Sequence, residues 1–152
     1  MQDVTLLESI AEVFNISIAE LISGNAVSNV NVSANMMRGK FYVCPVCGNS
    51  IHSMGEAVIS CHGINLSPLE AEETNDSHEI TVEIVEDEYF VSINHEMSKQ
   101  HYISFIAATS SDRIQIVKMY PEGKSEARFK INGVKEIFFY CNRDGLFVKK
   151  VR

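Results

Sequence analysis

From about residue 78 onward, apolar and polar residues alternate with the period of two that is typical of β-strands. Turn signals such as Asn132-Gly133 and Asp144-Gly145 separate the apolar segments. Seven short strands at this spacing predict an antiparallel β-sandwich over residues 73–152. The segments are EITVEIV, EYFVSIN, HYISFIAA, RIQIVKM, EARFKI, VKEIFFY and LFVKKV.

One face of these strands is expected to bury its side chains in a shared core. The apolar residues at alternating positions are the candidates for that face. We expect Val82, Ile84, Phe90, Ile93, Ile103, Phe105, Ile114 and Ile116 to point inward.

The first part of the chain has a different pattern. Residues 1–24 carry apolar positions at helical spacing and end at Gly24, which predicts two short helices. Residues 25–40 are rich in Asn, Ser and Val without periodicity and are interpreted as a linker. Two pairs with capping-box spacing mark the helix starts, namely Thr5 with Glu8 and Ser17 with Glu20.

Cysteine spacing predicts a metal site in residues 41–72. Cys44 and Cys47 form a Cys-x-x-Cys pair, and Cys61 and His62 follow as an adjacent pair. Two such pairs can complete a tetrahedral site, and a metal would supply folding energy to a lobe too small to bury a core. Three thiolates and one imidazole favour a structural zinc, with iron as the alternative; a metal-free dithiol is a further possibility. His52 is interpreted as a surface-loop residue outside the site.

Charge and composition restrict the partners. The chain has 152 residues and a net charge of −7, which argues against general nucleic-acid binding. Residues 41–98 contain no Lys or Arg, whereas residues 99–152 are locally positive, which suits either an anionic ligand or a solvated mixed surface. The sequence has neither an apolar run of membrane-spanning length nor a secretory signal. We therefore expect no membrane partner and a cytoplasmic location.

Two phrases in the strand region carry a family resemblance. NHEMSKQHYI resembles the superoxide-reductase pattern His-Pro-Met followed by His-Tyr-Ile, and YCNRDGLF resembles that family's Tyr-Cys-Asn-x-His-Gly-Leu-Trp. The segment CPVCGNSIHSMGEAVISCHG is similar to the desulforedoxin-type lobe of desulfoferrodoxins. The resemblance covers about residues 41–152. It implies a mainly β fold in which a small cysteine lobe precedes an immunoglobulin-like sandwich.

The same resemblance implies a non-haem iron site and a reaction. Carried over residue by residue, His78, His95 and His101 are imidazole ligands, and Cys141 is an axial thiolate. In the family, the ferrous ion reduces superoxide to peroxide with an electron from an outside donor. The resemblance also implies a homodimer.

Three positions depart from the family pattern. Asp144 stands where the family has a fourth histidine, so a carboxylate either replaces that imidazole as a ligand or fails to reach the ion. Ser77 stands where a lysine guides superoxide, and nearby Lys99 is a candidate substitute. Glu96 replaces a proline, which we expect to affect loop rigidity more than chemistry. Whether the chain is an active enzyme is left open at this point.

The N-terminal stretch TLLESIAEVFNISIAELISG resembles the last two helices of a lambda-repressor-like helix-turn-helix domain. The preceding recognition helix is missing, so no DNA binding is expected from this chain alone. The resemblance supports an alternative function, a redox- or metal-sensing module of a transcriptional regulator whose iron site has lost catalytic activity. A purely structural zinc protein is the third interpretation.

Overall fold

The computed structural model describes residues 35–151, which form a mainly β protein. A single 3-10 turn at Met36–Arg38 leads into the first strand, and a second at Asp76–His78 precedes the sandwich. Between and after these turns the chain forms twelve strands. They are β1 (Lys40–Val43), β2 (Ser50–Ser53), β3 (Ile59–Cys61), β4 (Ile64–Leu66), β5 (Glu72–Glu73), β6 (Glu79–Val85), β7 (Glu88–Asn94), β8 (Ile103–Thr109), β9 (Ile114–Lys118), β10 (Glu126–Lys130), β11 (Glu136–Cys141) and β12 (Gly145–Lys150).

Two sheets face each other and enclose the main core. One has the strand order β10-β7-β6 and the other β5-β12-β11-β8-β9. The seven strands predicted from the alternation are β6 to β12, which confirms the β-sandwich. All of its pairs are antiparallel except the short parallel pair between β5 and β12. The largest fully buried side chains between the sheets include Val91, Ile106, Phe129, Ile137 and Phe139.

The second face of the five-stranded sheet is also covered, by the cysteine lobe. Strands β1 and β2 form one hairpin of this lobe, and β3 and β4 form another. Phe41 on β1 packs on Phe105, with ring centroids 5.3 Å apart, and belongs to a cluster with Ala107 and Leu146. As a result every residue of β8 is buried, which is typical of a strand with both faces covered.

The predicted inward face was wrong at several positions. Ile84 is 70% exposed and Ile116 is 49% exposed, because each lies on an edge strand with one face open. In β7 the buried side chains are Tyr89, Val91 and Ile93, so Phe90 must point the other way. Phe105 is buried, but it lies in the cluster beneath the lobe and not between the two sheets.

A β-bulge explains why both Ile103 and Ile106 reach the main core. Cys141 pairs with Ile103 while its neighbour Tyr140 pairs with Phe105, so Ser104 is an extra residue in β8. The extra residue shifts the alternation by one at this point. It also bends the end of β8 next to Cys141, where His78, His95 and His101 lie as well.

The predicted helical pair over residues 1–24, and the helix-turn-helix resemblance that it carries, lie outside the described residues. Most of the predicted linker lies outside them as well. Within residues 35–151, no helix has the length and apolar character needed to cross a bilayer.

Candidate metal centres

Five predicted site residues meet at one end of the sandwich. His78 ends the second 3-10 turn, His95 follows β7, and His101 lies just before β8. Cys141 ends β11, and Asp144 lies in the turn to β12. Each residue offers one ligand atom, and these five atoms all lie within 4.8 Å of one another. Three loops and a strand end thus bring together residues from distant parts of the chain.

Asp144 reaches into this cluster. Its Oδ2 lies 2.9 Å from Nε2 of His78 and 3.3 Å from Nε2 of His101. The Cys141 thiol donates a hydrogen bond of 3.5 Å to the same oxygen, and the Asp144 backbone N–H donates to Cys141 Sγ. The short turn from Cys141 to Asp144 therefore places the carboxylate beside the sulfur. The aspartate side chain is long enough to contact two of the imidazoles.

All three imidazoles of the cluster are held through Nδ1. Asn75 Oδ1 lies 3.1 Å from Nδ1 of His78, and the carbonyl of Glu96 accepts from Nδ1 of His95. The Glu96 carboxylate accepts from Nδ1 of His101 at 3.1 Å. A proton on Nδ1 leaves the lone pair on Nε2, which is the arrangement found in metal-bound histidines.

Asn75 and Glu96 were missed as supporting residues by the sequence interpretation. Asn75 is the N-cap of the turn that carries His78, and its side chain also accepts from the backbone N–H and hydroxyl of Ser77. An Asn at the start of an Asn-x-x-His turn is a visible capping signal. Glu96 was expected to alter loop rigidity, whereas its carboxylate contacts His101 directly.

The cluster is closed on its inner side and open on its outer side. The ring of Phe147 stacks on His78 with centroids 4.2 Å apart, and Phe139 stacks behind Phe147. His78 is 4% exposed and Cys141 is fully buried, whereas the Asp144 side chain is 46% exposed. The side of the cluster that carries Asp144 is therefore open to a small solute.

Burial and neighbouring groups shift the acid–base properties of the cluster. Burial raises the pKa of the Cys141 thiol and lowers the pKa of His95. Burial also acts to raise the pKa of Asp144, but hydrogen bonds with Cys141 and His101 outweigh it, so the net shift is downward. The carboxylate therefore remains ionised at neutral pH, while the thiol needs a cation before it releases its proton readily.

The residues present fit a metal ion. Nε2 of His78 and Nε2 of His95 are buried without a well-directed hydrogen bond, although the former lies close to Asp144. Such atoms are costly unless something else pairs with them. Three imidazole nitrogens, one sulfur and one carboxylate oxygen form a donor set suited to ferrous iron, which accepts mixed histidine and carboxylate ligands.

The second cluster lies in the cysteine lobe. The ligand atoms of Cys44, Cys47, Cys61 and His62 also lie within 4.8 Å of one another. Sγ of Cys47 is 3.6 Å from Sγ of Cys61, and Nδ1 of His62 is 3.2 Å from Sγ of Cys61. His62 adopts a positive φ of 52°, which lets two adjacent residues face the same point.

Thiolate character is unevenly distributed in this lobe. The pKa of Cys44 is lowered to about 6, chiefly because the backbone N–H of Cys47 hydrogen-bonds to its sulfur. The pKa of Cys61 is raised to about 11, chiefly through hydrogen bonding with Cys44 and then Cys47. The thiolate of Cys44 therefore forms easily, whereas the neighbouring cysteines oppose a thiolate at Cys61. A divalent cation would remove that opposition.

His52 lies on β2 and not in a surface loop as the sequence suggested. Its ring is half-buried and packs edge-on against Phe41, with centroids 5.0 Å apart. Tyr42, also missed, is fully buried, and its hydroxyl accepts a hydrogen bond from Ala57 N–H. Tyr42 thereby ties the loop before β3 to β1.

Comparisons with known proteins relate the chain to proteins named desulfoferrodoxin and superoxide reductase. No family model matches the chain. It is 28% identical over 115 residues to a desulfoferrodoxin homolog of Archaeoglobus fulgidus, a match that covers 70% of this chain and 92% of that protein. Over 56 residues it is 32% identical to desulfoferrodoxin of Clostridium acetobutylicum, covering 37% and 45% of the two chains.

Among solved structures, the chain resembles the superoxide reductase of Treponema pallidum. The TM-score is 0.65 at 22% sequence identity, and the match covers 74% of this chain and 98% of that one. At this identity the likeness shows a common fold. The chain is thus similar in sequence to desulfoferrodoxins and in fold to a superoxide reductase.

Proposed function

We propose that this chain is a desulfoferrodoxin-like metalloprotein that reduces superoxide to hydrogen peroxide at a non-haem iron site. The iron ligands in this proposal are His78, His95, His101 and Cys141, with Asp144 as a fifth. The observation that carries the proposal is the convergence of three Nε2 atoms, each imidazole held through Nδ1, on one buried sulfur. The similarity to desulfoferrodoxins supports the choice of iron.

The reaction takes one electron and two protons per superoxide and yields one molecule of hydrogen peroxide. Bound iron supplies the one-electron couple, and an outside donor restores the electron. The Cys141 thiolate donates electron density from the buried side, and Phe147 excludes water behind His78. Asp144 adds a negative charge on the open side, which lowers the reduction potential relative to a neutral imidazole and repels an anionic substrate.

The cysteine lobe has a structural role in this proposal. Cys44, Cys47, Cys61 and His62 hold zinc, or iron as the alternative, and the metal stabilises two hairpins that have little core of their own. We place the lobe at residues 41–72 and the sandwich at 73–152. The homodimer implied by the resemblance is testable by sedimentation of the metal-loaded protein.

Anaerobic loading with Fe(II) followed by rapid mixing with superoxide tests the proposed activity. The parent protein is expected to bind iron at the sandwich site, to consume superoxide, and to show a thiolate-to-ferric charge-transfer band that Cys141→Ser abolishes. His101→Ala is expected to lose at least about tenfold in rate, because a ligand directly beside the sulfur is removed. A His101→Ala protein as fast as the parent would falsify the assignment.

The ligand role of Asp144 needs its own variant. If the carboxylate binds the ion, Asp144→Ala should weaken iron binding about 10- to 100-fold and shift the charge-transfer band. Asp112→Ala, which removes an exposed carboxylate on a loop away from the cluster, serves as the matched control. Unchanged affinity and spectrum in Asp144→Ala would mean that the ion is held by the other four residues alone.

A further inference from the structure

One residue supports two of the three imidazoles of the sandwich cluster. The carbonyl of Glu96 accepts from Nδ1 of His95, and its carboxylate accepts from Nδ1 of His101. The carbonyl contact is available to any amino acid at this position, whereas the carboxylate contact requires Glu96 itself. His78 is held by the neutral amide of Asn75, so His101 alone among the three has an anionic partner at Nδ1.

His101 is the imidazole for which such a partner matters most. Its Nε2 lies 3.2 Å from Cys141 Sγ and 3.3 Å from Asp144 Oδ2, so it contacts both the sulfur and the carboxylate of the cluster. Without an acceptor at Nδ1, the ring could place its proton on Nε2 and hydrogen-bond to Asp144. The Glu96 carboxylate favours the opposite tautomer, with the proton on Nδ1 and the lone pair on Nε2.

The loop that carries Glu96 is built to hold this geometry. Ser98 N–H donates to the carbonyl of His101, and His101 N–H donates to Ser98 Oγ, so the loop closes on itself. Met97 anchors it, because its side chain packs against the main core and its carbonyl accepts from Glu122 N–H.

We infer that Glu96 is a positioning residue of the sandwich site, which sets the tautomer of His101 and strengthens that imidazole as a ligand. This inference rests on the proposed metal site and adds to it a carboxylate–histidine–metal relay. The relay gives a function to Glu96, which stands where the superoxide-reductase pattern has a proline. Loss of the Glu96 carboxylate should lower metal affinity by an amount at the lower end of the range for such supporting contacts. The reason is that the Glu96 side chain is 60% exposed, so water weakens its interaction with His101.

Zinc is the probe for the test, because it is diamagnetic and suits histidine and cysteine ligands. The protein is titrated with Zn(II) against a chelator while ¹⁵N resonances of the histidine rings are followed. Shifts at His78, His95 and His101 report the sandwich site, and His62 reports the lobe. In the parent, His101 should bind through Nε2 with a proton on Nδ1.

Glu96→Ala should weaken zinc at the sandwich site about tenfold and broaden or move the Nδ1–H signal of His101, with the lobe unchanged. Glu96→Gln should recover part of the affinity, because its amide oxygen still accepts the proton without the charge. Glu126→Ala, an exposed glutamate on β10, is the matched control and should behave as the parent.

The inference would be overturned if Glu96→Ala bound zinc at the sandwich site as tightly as the parent does. It would also be overturned if His101 of the parent bound zinc through Nδ1. Either result would leave the proposed metal site intact. A parent protein whose three sandwich imidazoles do not respond to zinc or to Fe(II) would overturn the proposed site, and this inference with it. If Glu96→Ala lost zinc binding at both the sandwich site and the lobe, the variant would be misfolded. Glu96→Gln would then test the inference by its zinc affinity at the sandwich site and by the Nδ1–H signal of His101.

Discussion

Histidine serves two purposes among the described residues, and its surroundings separate them. His78, His95 and His101 lie in a cluster with the Cys141 sulfur and the Asp144 carboxylate. His52 belongs to neither metal-ligand cluster; its ring packs between Phe41 and Gly39, and burial lowers its pKa. A histidine buried in apolar surroundings is held neutral, and that has a consequence for stability.

The stability contribution of His52 should depend on pH. Because its pKa is lower in the folded state than in the unfolded state, the unfolded state binds the proton more readily. The contribution is present above the unfolded value near about 6.5 and is lost as pH falls below it. Urea unfolding of the parent and of His52→Gln at pH values from about 8 to 5.5 measures the difference, which should shrink toward acid.

Other titrating groups cancel in that difference, since both proteins carry them. A gap between parent and His52→Gln that is constant across this pH range would show that His52 keeps its ordinary pKa. A gap that widens toward acid would show that the folded state binds the proton more tightly.

At the scale of secondary-structure elements, a side chain on β2 restricts which residue can precede β1. Gly39 lies between the first 3-10 turn and β1, and its N–H donates to the carbonyl of Met36. A Cβ at Gly39 would lie within 2.4 Å of Nε2 of His52 on β2. Its φ of −58° is open to any residue, so the requirement for glycine comes from close approach and not from the backbone.

Gly39→Ala should therefore destabilise the protein by about 1–3 kcal/mol, the usual cost of forcing an extra methyl into a packed site. The cost should fall when His52 is also replaced by alanine, because the colliding ring is gone. Denaturant unfolding of the parent, both single variants and the double variant gives the coupling energy. If Gly39→Ala lowers the free energy of unfolding equally in the parent and in His52→Ala, the added methyl must clash with another group, for example the Met36 carbonyl.

At the scale of the whole molecule, the lobe and the sandwich share a buried contact. Phe41 of the lobe packs against Phe105 and Phe138 of the five-stranded sheet, and Leu69 N–H donates to the Phe41 carbonyl. Phe41 itself is 5% exposed. The outer face of the sheet is thus completed by a segment that also leads into the first cysteine pair.

Phe41→Ala should cost about 3–5 kcal/mol of unfolding free energy, the range for a large buried aromatic. Val58→Ala, at a lobe residue that is 92% exposed, should change stability by less than about 0.5 kcal/mol. Guanidinium unfolding followed by tyrosine fluorescence measures both. If Phe41→Ala matches Val58→Ala, the lobe does not stabilise the sandwich through this contact.

Local pattern alone determined much of this protein. Alternation with a period of two predicted all seven sandwich strands, and the spacing of Cys44, Cys47, Cys61 and His62 pointed to the lobe cluster, because both signals act over a few residues. Family likeness was needed to connect His78, His95, His101 and Cys141, since nothing local links them.

Only the tertiary structure decided which strand faces are covered and what surrounds each ligand. Ile84 and Ile116 are exposed because they lie on edge strands, which alternation cannot distinguish from central ones. The reach of Asp144 and the contact of Glu96 with His101 depend on how separate loops meet in space. Such contacts are set by the packing of the two sheets, and no short stretch of sequence contains that information.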